Sequence, residues 1–296
     1  MLKHLFGAAC LWITSAMAYE GQLIEGDHIL LTSHSPDALF AINREGDVVW
    51  RSQQGLKHPQ QVSTTETGEI FCATIDGARL LARDGSPIWN YHVPAGAENA
   101  TALTLEKGKY LIAHEGKGEL VTLDHNGAAI RTTRVSPLKS KTHGQFRYVV
   151  KGGRNLLVPM TNAGVFREIA PDTHEVIWEI RNLPTITSAL RREDGGTFIA
   201  YRNALASFDK RRNHEWTLKF SEDLGLAKAV PATGITLLPG GNLLVATWHK
   251  HKDLPDLFEF DPNLKKIVHS WYLDGYDKVA GIAYLPNGHP FSEENF

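Results

Sequence analysis

The segment from Gly68 to Trp89 reads GEIFCATIDGARLLARDGSPIW and contains the pattern on which the fold assignment rests. Its short apolar runs are separated by the dipeptides Asp76-Gly77 and Asp84-Gly85. Asp-Gly pairs flanked by apolar residues are typical of the tight turns that join antiparallel strands. The segment therefore predicts three consecutive short strands. A meander of this size cannot bury both of its faces alone, so we expect it to be one unit of a repeating array.

The same order of glycine, apolar runs and turn residues returns along the rest of the chain. Successive units start about 40–47 residues apart, close to the length of a four-stranded propeller blade. The first glycines of the units are Gly26, Gly68, Gly108, Gly153, Gly196, Gly241 and Gly288. The tryptophans that recur late in the units are Trp50, Trp89, Trp178 and Trp216. This constant order favours a repeat over glycines that merely mark turns in another all-β fold.

A fourth strand is expected ahead of each glycine, where the residues alternate or are β-branched. The candidates are Gln60–Thr65, Thr101–Leu105, Gln145–Val150, Thr187–Arg191, Thr233–Leu238 and Ala280–Leu285. The N-terminal unit has no convincing strand before Gly26, whereas the C-terminal unit has such a strand but none after its glycine. We therefore predict an all-β fold, a six-bladed β-propeller of four-stranded antiparallel blades. The C-terminal strand joins the N-terminal blade and closes the ring.

Two units end alike, in Asn43-x-x-Gly46-x-x-x-Trp50 and Arg83-Asp84-Gly85-x-x-x-Trp89, and Asp172 to Trp178 is a looser version. These endings resemble the tail of the quinoprotein-like (PQQ-type) propeller repeat, A-x-D-x-x-T-G-x-x-x-W. The resemblance implies the broad propeller group that includes quinoprotein dehydrogenases, assembly factors and arylsulfotransferase-like proteins. The quinone-binding members have eight blades and usually a vicinal cysteine pair, and this chain has neither. The resemblance therefore supports the fold and implies that no quinone is bound.

The charge of the chain is nearly balanced, with 31 Lys and Arg against 33 Asp and Glu. Binding to nucleic acid or to an anionic membrane surface requires a basic excess. We therefore expect no nucleic-acid partner.

Residues 1–18 predict a signal peptide rather than a part of the fold. Lys3 opens a short basic region, Leu5–Ile13 is an apolar core too short to span a bilayer, and Ala16-Met17-Ala18 is a cleavage signal. We expect cleavage near Ala18, export to the periplasm or the medium, and no transmembrane segment. Residues 19–296 then form a single propeller domain, which we expect to be monomeric.

The two cysteines are interpreted differently. Cys10 lies in the predicted signal peptide, and Gly7 stands where a lipoprotein signal carries a large aliphatic residue, which argues against lipidation. Cys72 lies inside an apolar strand and is expected to be a buried core thiol. One cysteine in the mature chain leaves no disulfide or cysteine-based metal site within it.

The sequence contains no local catalytic motif such as GxSxG, HExxH or a P-loop. In a propeller, however, residues before the first strand and after the second strand of every blade meet on one rim of the channel. Candidates after the second strands include His34, His114, Glu115, Arg202, Asn203, His249 and His251. The predicted ligand-binding residues are His58, Gln60, Glu98, Asn99, His143, Gln145, Arg202, His249 and Lys278.

Two of these rim segments are alike, His58-Pro59-Gln60 and His143-Gly144-Gln145. His58 and His143 are therefore candidate ligands of a divalent metal, with Glu98 as a third, because imidazole and carboxylate suit zinc, iron, copper or nickel. Neutral histidine also serves as an acid or base near pH 7. The alternative to a functional site is that these residues are solvated loop residues or hydrogen-bonded caps on the channel. Arg147 either enters the channel to meet an anionic ligand or covers the outer face of a blade.

Fold alone does not fix function, since propellers support many chemistries. The first hypothesis is an exported binding or scaffold protein that presents a His-rich channel mouth to a small molecule or a protein partner. The alternative is an enzyme of hydrolase, lyase or sulfotransferase type, with a His and Glu site at the mouth that a metal assists. A quinone-dependent dehydrogenase is not expected.

Overall fold

The computed structural model describes residues 21–52, 54–106, 108–135, 143–173 and 175–286. The predicted signal peptide, Cys10 and Gly288 lie outside these residues. Within them, 24 strands form six sheets of four antiparallel strands, with almost no helix. The fold is thus the predicted all-β, six-bladed propeller.

Each sheet is one blade, and its strands follow one another outward from the channel. Blade 1 contains β24 (Asp277–Leu285), β1 (His28–Ser35), β2 (Asp37–Ile42) and β3 (Val48–Arg51). Blade 2 contains β4 (Pro59–Thr64), β5 (Ile70–Thr74), β6 (Gly77–Leu81) and β7 (Pro87–His92). Blade 3 contains β8 (Leu103–Thr104), β9 (Tyr110–His114), β10 (Glu119–Leu123) and β11 (Ala129–Arg134).

The remaining three blades repeat the plan. Blade 4 contains β12 (Val150–Gly152), β13 (Asn155–Met160), β14 (Val165–Ile169) and β15 (Val176–Arg181). Blade 5 contains β16 (Ile186–Arg191), β17 (Thr197–Tyr201), β18 (Ala204–Phe208) and β19 (His214–Lys219). Blade 6 contains β20 (Ala232–Leu237), β21 (Leu243–Thr247), β22 (Leu257–Asp261) and β23 (Lys266–Trp271).

The C-terminal strand closes the ring as predicted. β24 pairs antiparallel with β1, and Leu30 lies opposite Ala283. The pairing removes the free edge that β1 would otherwise present to another chain. The three-strand N-terminal unit and the C-terminal strand are therefore two parts of one blade.

The tryptophans of the outermost strands pack between blades. A Cβ built on Gly85, in the β6–β7 turn, would lie 2.8 Å from Cζ2 of Trp50 in the preceding blade. Trp271 of blade 6 reaches across the closure in the same way, and its indole N–H donates to the Arg44 carbonyl at 2.9 Å. The closing seam therefore has the side-chain packing of an ordinary seam.

A second set of contacts joins adjacent blades around the channel. The Thr32 hydroxyl in blade 1 donates to the carbonyl of Gln60 in blade 2, and Thr187 in blade 5 donates to Ala232 in blade 6. Thr233 in blade 6 donates to Val279 in blade 1 at 2.8 Å. Because these donors and carbonyls are buried, each bond satisfies a group that has little access to water.

One predicted inner strand is displaced. The pattern predicts a strand over Gln145–Val150, whereas the inner strand of blade 4 is β12, from Val150 to Gly152. The reason is Pro159 in β13, which has no N–H to continue the ladder. The Arg147 N–H still donates to the Pro159 carbonyl, but the Tyr148 N–H turns away to Thr187 in blade 5. Residues 143–149 are thus free to follow the rim.

In the part of the chain that the structure describes, helix is confined to short turns, the 3₁₀ turn η1 (Thr161–Ala163) and α1 (Phe220–Asp223). No helix in the described ranges is long and apolar enough to cross a bilayer. Cys72 is a free thiol buried in β5, as predicted.

Candidate functional site

One end of the channel opens into a cavity of about 390 Å³. Its walls come from the segments before the first strands and after the second strands, which is the convergence that the repeat predicts. The lining residues are His34, His58, Gln60, Ile75, His143, Arg147, Tyr148, Thr161, Thr185, Thr187, Pro231, Thr233 and Trp248. Its volume is within the range of small-molecule sites.

Three of the predicted ligand-binding residues line this cavity, namely His58, Gln60 and His143. Lys278 lies beside it, since its Nζ is 5.5 Å from the ring centre of Trp248 in the wall. His58 and Lys278 both have positive φ, at 43° and 55°. A left-handed backbone is unusual for residues other than glycine, and such strain is frequent at functional rims.

Other predicted residues have structural contacts instead. Asn99 is buried and accepts hydrogen bonds from the N–H groups of Thr101 and Ala113. Gln145 is buried and accepts from the Gly116 N–H at 2.9 Å. Both side chains replace backbone partners that a short inner strand cannot supply.

His249 and Arg202 are not among the residues that line the cavity. The His249 ring donates from Nε2 to the Pro255 carbonyl at 2.8 Å, and its Nδ1 accepts from the His251 N–H. The ring therefore holds the β21–β22 loop from inside. Arg202 is exposed, and its backbone bonds to Thr185 and Ala232 of neighbouring segments.

The densest polar network joins blade 3 to blade 4. His143 Nδ1 lies 2.7 Å from Glu98 Oε2, and His143 Nε2 lies 3.1 Å from Arg147 Nη2. A guanidinium nitrogen only donates, so Nε2 accepts from Arg147 and Nδ1–H donates to Glu98. This fixes a neutral tautomer of His143 whose Nε2 lone pair points toward Arg147.

Glu115 forms the buried side of this network. It is 1% exposed, and burial raises the pKa of its carboxyl group, while Arg147 and the Gly144 N–H lower it. The Gly144 N–H donates to Glu115 Oε2 at 2.6 Å, and Arg147 Nη1 lies 3.5 Å from Oε1. The contact with Arg147 is at the outer limit of a hydrogen bond, so the guanidinium is only loosely held.

Another part of the cavity wall is formed by aromatic rings. The His34 ring stands edge-on to Trp248 with centres 4.6 Å apart, and its Nε2–H donates to the Pro59 carbonyl. Burial lowers the pKa of His34 to about 4, so this ring is neutral near pH 7. His58 lies beside it and donates from Nδ1 to Asp37 at 3.1 Å.

Tyr148 forms the floor of the mouth cavity. It lines the mouth cavity and also a second cavity of about 260 Å³ between the inner strands on the far side. Burial raises the pKa of its phenol far above the ordinary value, so the hydroxyl stays protonated.

Sequence reasoning did not select Trp248 or the threonines of the wall as site residues. A signal for the threonines is present, since the predicted inner strands at Thr101, Thr187 and Thr233 all begin with this residue. Trp248 follows directly after a second strand, at the rim position where only polar and charged residues were selected.

No family model matches the chain, and no curated protein matches its sequence. Solved structures match its fold. A protein of unknown function from Bacteroides caccae has a TM-score of 0.77 at 23% identity, over 88% of this chain and 99% of that one. A catalytically inactive variant of virginiamycin B lyase from Staphylococcus aureus, with quinupristin, has a TM-score of 0.65 at 12% identity, over 90% of both chains. A chain of a nidogen/laminin complex has a TM-score of 0.67 at 10% identity, over 88% of this chain and 98% of that one. At these identities the likeness shows the propeller fold alone.

Proposed function

We propose that the protein is an exported propeller that binds a small hydroxylated organic anion in the mouth cavity. The observation that carries the proposal is the position of Arg147 in the cavity wall. Its guanidinium faces a neutral His143 nitrogen and a carboxylate at 3.5 Å. Five N–H donors on a rigid fork leave capacity for a bidentate contact with a carboxylate ligand. Lys278, beside Trp248, adds a second positive charge near the rim.

The rest of the wall favours a ligand with hydroxyl groups. The side-chain hydroxyls of Thr187 and Thr233 donate to backbone carbonyls, so toward the cavity they offer acceptor lone pairs. Trp248, Ile75 and Pro231 supply apolar surface. A ring-shaped ligand that fits the cavity and carries one acidic group and several hydroxyl groups would match both the polar and the apolar parts of the wall.

The test compares D-glucuronate with neutral D-glucose by isothermal titration calorimetry. We expect saturable binding of glucuronate and much weaker binding of glucose. Arg147→Gln should weaken glucuronate binding by about 10- to 100-fold, the equivalent of one lost charge-assisted contact. Arg202→Gln is the matched control, because Arg202 is an exposed arginine that does not line the cavity. Equal affinities in the two variants, or no binding of the acid to the wild type, would reject the proposal.

A second function, acid–base catalysis, is supported by the Glu98–His143 pair. A carboxylate that accepts from Nδ1–H orients a neutral imidazole and stabilises its protonated form. A ligand anion that draws Arg147 away would leave His143 Nε2 ready to take a proton from the ligand. We expect hydrogen–deuterium exchange at the carbon beside the carboxylate of bound glucuronate, measured by NMR in D₂O. His143→Gln should stop the exchange and retain binding; exchange at the wild-type rate in that variant would reject this role.

A further inference from the structure

Three potential metal ligands converge at the seam between blades 3 and 4. Glu98, Glu115 and His143 each offer one ligand atom, and these atoms all lie within 4.8 Å of one another. Glu98 precedes β8, Glu115 follows β9, and His143 precedes β12. Three sequence-distant segments therefore place one imidazole and two carboxylates around a common point.

The negative charges of Glu98 and Glu115 repel each other, and the neighbouring positive charge compensates them only in part. Glu98 and Glu115 form an isolated antiparallel bridge, with the Glu115 N–H donating to the Glu98 carbonyl at 2.8 Å. Like charges directly opposite each other on paired strands are destabilising. The nearest positive charge to Glu115 among the described contacts, Arg147, is 3.5 Å away.

We propose that Glu98, Glu115 and His143 bind one divalent transition metal ion, of the Mn²⁺ or Zn²⁺ class. One nitrogen and two carboxylate oxygens suit these ions, and three protein ligands leave coordination positions open toward the cavity. Ligand bonds of about 2.1 Å to one ion require the three donor atoms to adjust their positions. The His143 side chain is 58% exposed and has the freedom to make this adjustment. The Gly144 N–H on Glu115 orients that carboxylate as an outer-shell partner.

Metal binding would release Arg147 from His143. If Nε2 binds the ion, it no longer accepts from Arg147. If Nδ1 binds the ion, Nε2 carries the proton, and two donors then face each other. In both cases the guanidinium turns to another acceptor, so the metal should strengthen anion binding. This coupling rests on the proposed function, whereas the metal site itself does not.

The experiment uses the full chain, purified without a histidine tag and stripped with EDTA. MnCl₂ and ZnCl₂ are titrated by calorimetry, and bound Mn²⁺ is followed by electron paramagnetic resonance. We expect one ion per chain with micromolar affinity, and at least a roughly 30-fold loss in Glu115→Gln, as for a lost charged ligand. Glu98→Gln, at a less buried position, should show a similar loss and guards against a folding defect in the first variant. Circular dichroism melts confirm the fold of both.

His251→Gln is the matched control, since His251 is an exposed histidine of the β21–β22 loop and should leave the affinity unchanged. Absence of saturable binding by either ion, or wild-type affinity in both glutamate variants, would overturn the proposal. A loss in His58→Gln as large as in Glu115→Gln would also overturn it, in favour of the His58 and His143 pair. Glucuronate titration with and without Mn²⁺ separates the two proposals. A bound metal without glucuronate binding rejects only the anion site, and glucuronate binding without a metal rejects only the metal site.

Discussion

The packing of an outer tryptophan on the next blade's turn predicts an unusually costly glycine substitution at Gly85. Gly85 has a φ of +85°, and an added Cβ would lie 2.8 Å from Cζ2 of Trp50. Trp50 is 1% exposed, so protein atoms surround its ring. Gly153 provides a matched control, because its φ is +72° and an added Cβ would meet nothing within 4 Å.

The two substitutions separate backbone strain from steric overlap. Placing an L side chain in the left-handed region costs about 1–2 kcal/mol, and this applies to both Gly85→Ala and Gly153→Ala. Overpacking adds about 1–3 kcal/mol at Gly85 alone. We therefore expect Gly85→Ala to be less stable than Gly153→Ala by about 2 kcal/mol. Near the melting temperature this difference corresponds to about 4–8 °C.

Differential scanning calorimetry of both variants measures the difference. Adding Trp50→Phe tests its cause, because a phenyl ring lacks the atom that the new Cβ would meet. In that background Gly85→Ala should cost no more than Gly153→Ala, which gives a coupling energy of opposite sign to the single effects. Equal melting temperatures for the two glycine variants, or an undiminished cost in the Trp50→Phe background, would refute the packing argument.

Three further predictions concern the closure, pH and the thiol. Thr233→Val removes the hydrogen bond to the Val279 carbonyl at the closing seam, and Thr187→Val removes the equivalent bond between blades 5 and 6. Each substitution should lower the free energy of unfolding, measured by urea titration, by about 1–2 kcal/mol. A much larger loss for Thr233→Val would mean that the closing seam is the weakest part of the ring. Because burial lowers the pKa of His34 from 6.5 to about 4, the unfolded chain binds a proton that the folded chain does not in this window. Stability should fall by about 2 kcal/mol, after allowance for partial exposure, as pH drops from 6.5 to about 4, and a pH profile unchanged by His34→Gln would contradict this. Burial raises the pKa of Cys72 to about 12, so in protein expressed from residue 19 a disulfide reagent should label it only on unfolding, and rapid labelling of the native state would show that the strand opens.

The strand order within each blade was predictable because it depends on short-range sequence signals. Turn dipeptides such as Asp84-Gly85, period-two apolar runs and a late tryptophan such as Trp89 each act within one unit, and repetition multiplies the signal. The closure was predictable by counting strands. The shift of the fourth inner strand from Gln145–Val150 to Val150–Gly152 was not, because it depends on Pro159 in the neighbouring strand β13. Register of this kind is a property of two strands together.

The site was predictable as a place and only partly as a set of side chains. The topology alone brings His58, Gln60 and His143 to one cavity. It does not say which polar residues face the cavity and which satisfy the backbone. Asn99 and Gln145 have the same residue types and offsets as ligand-binding groups, but their amides accept backbone N–H groups. The difference depends on the local strand length, which the repeat pattern does not resolve.

That strand length links the architecture to the chemistry. β8 and β12 are the shortest inner strands, with 2 and 3 residues, and they belong to adjacent blades. These two blades supply the whole Glu98, Glu115, His143 and Arg147 network. Where a ladder ends early, the unpaired N–H groups must find other acceptors. The Glu115 carboxylate accepts from Gly144, as the Asn99 and Gln145 amides do from their neighbours. A buried carboxylate beside a histidine is thus the direct product of two inner strands that stop short at the same seam, and the four regular blades complete the wall around it.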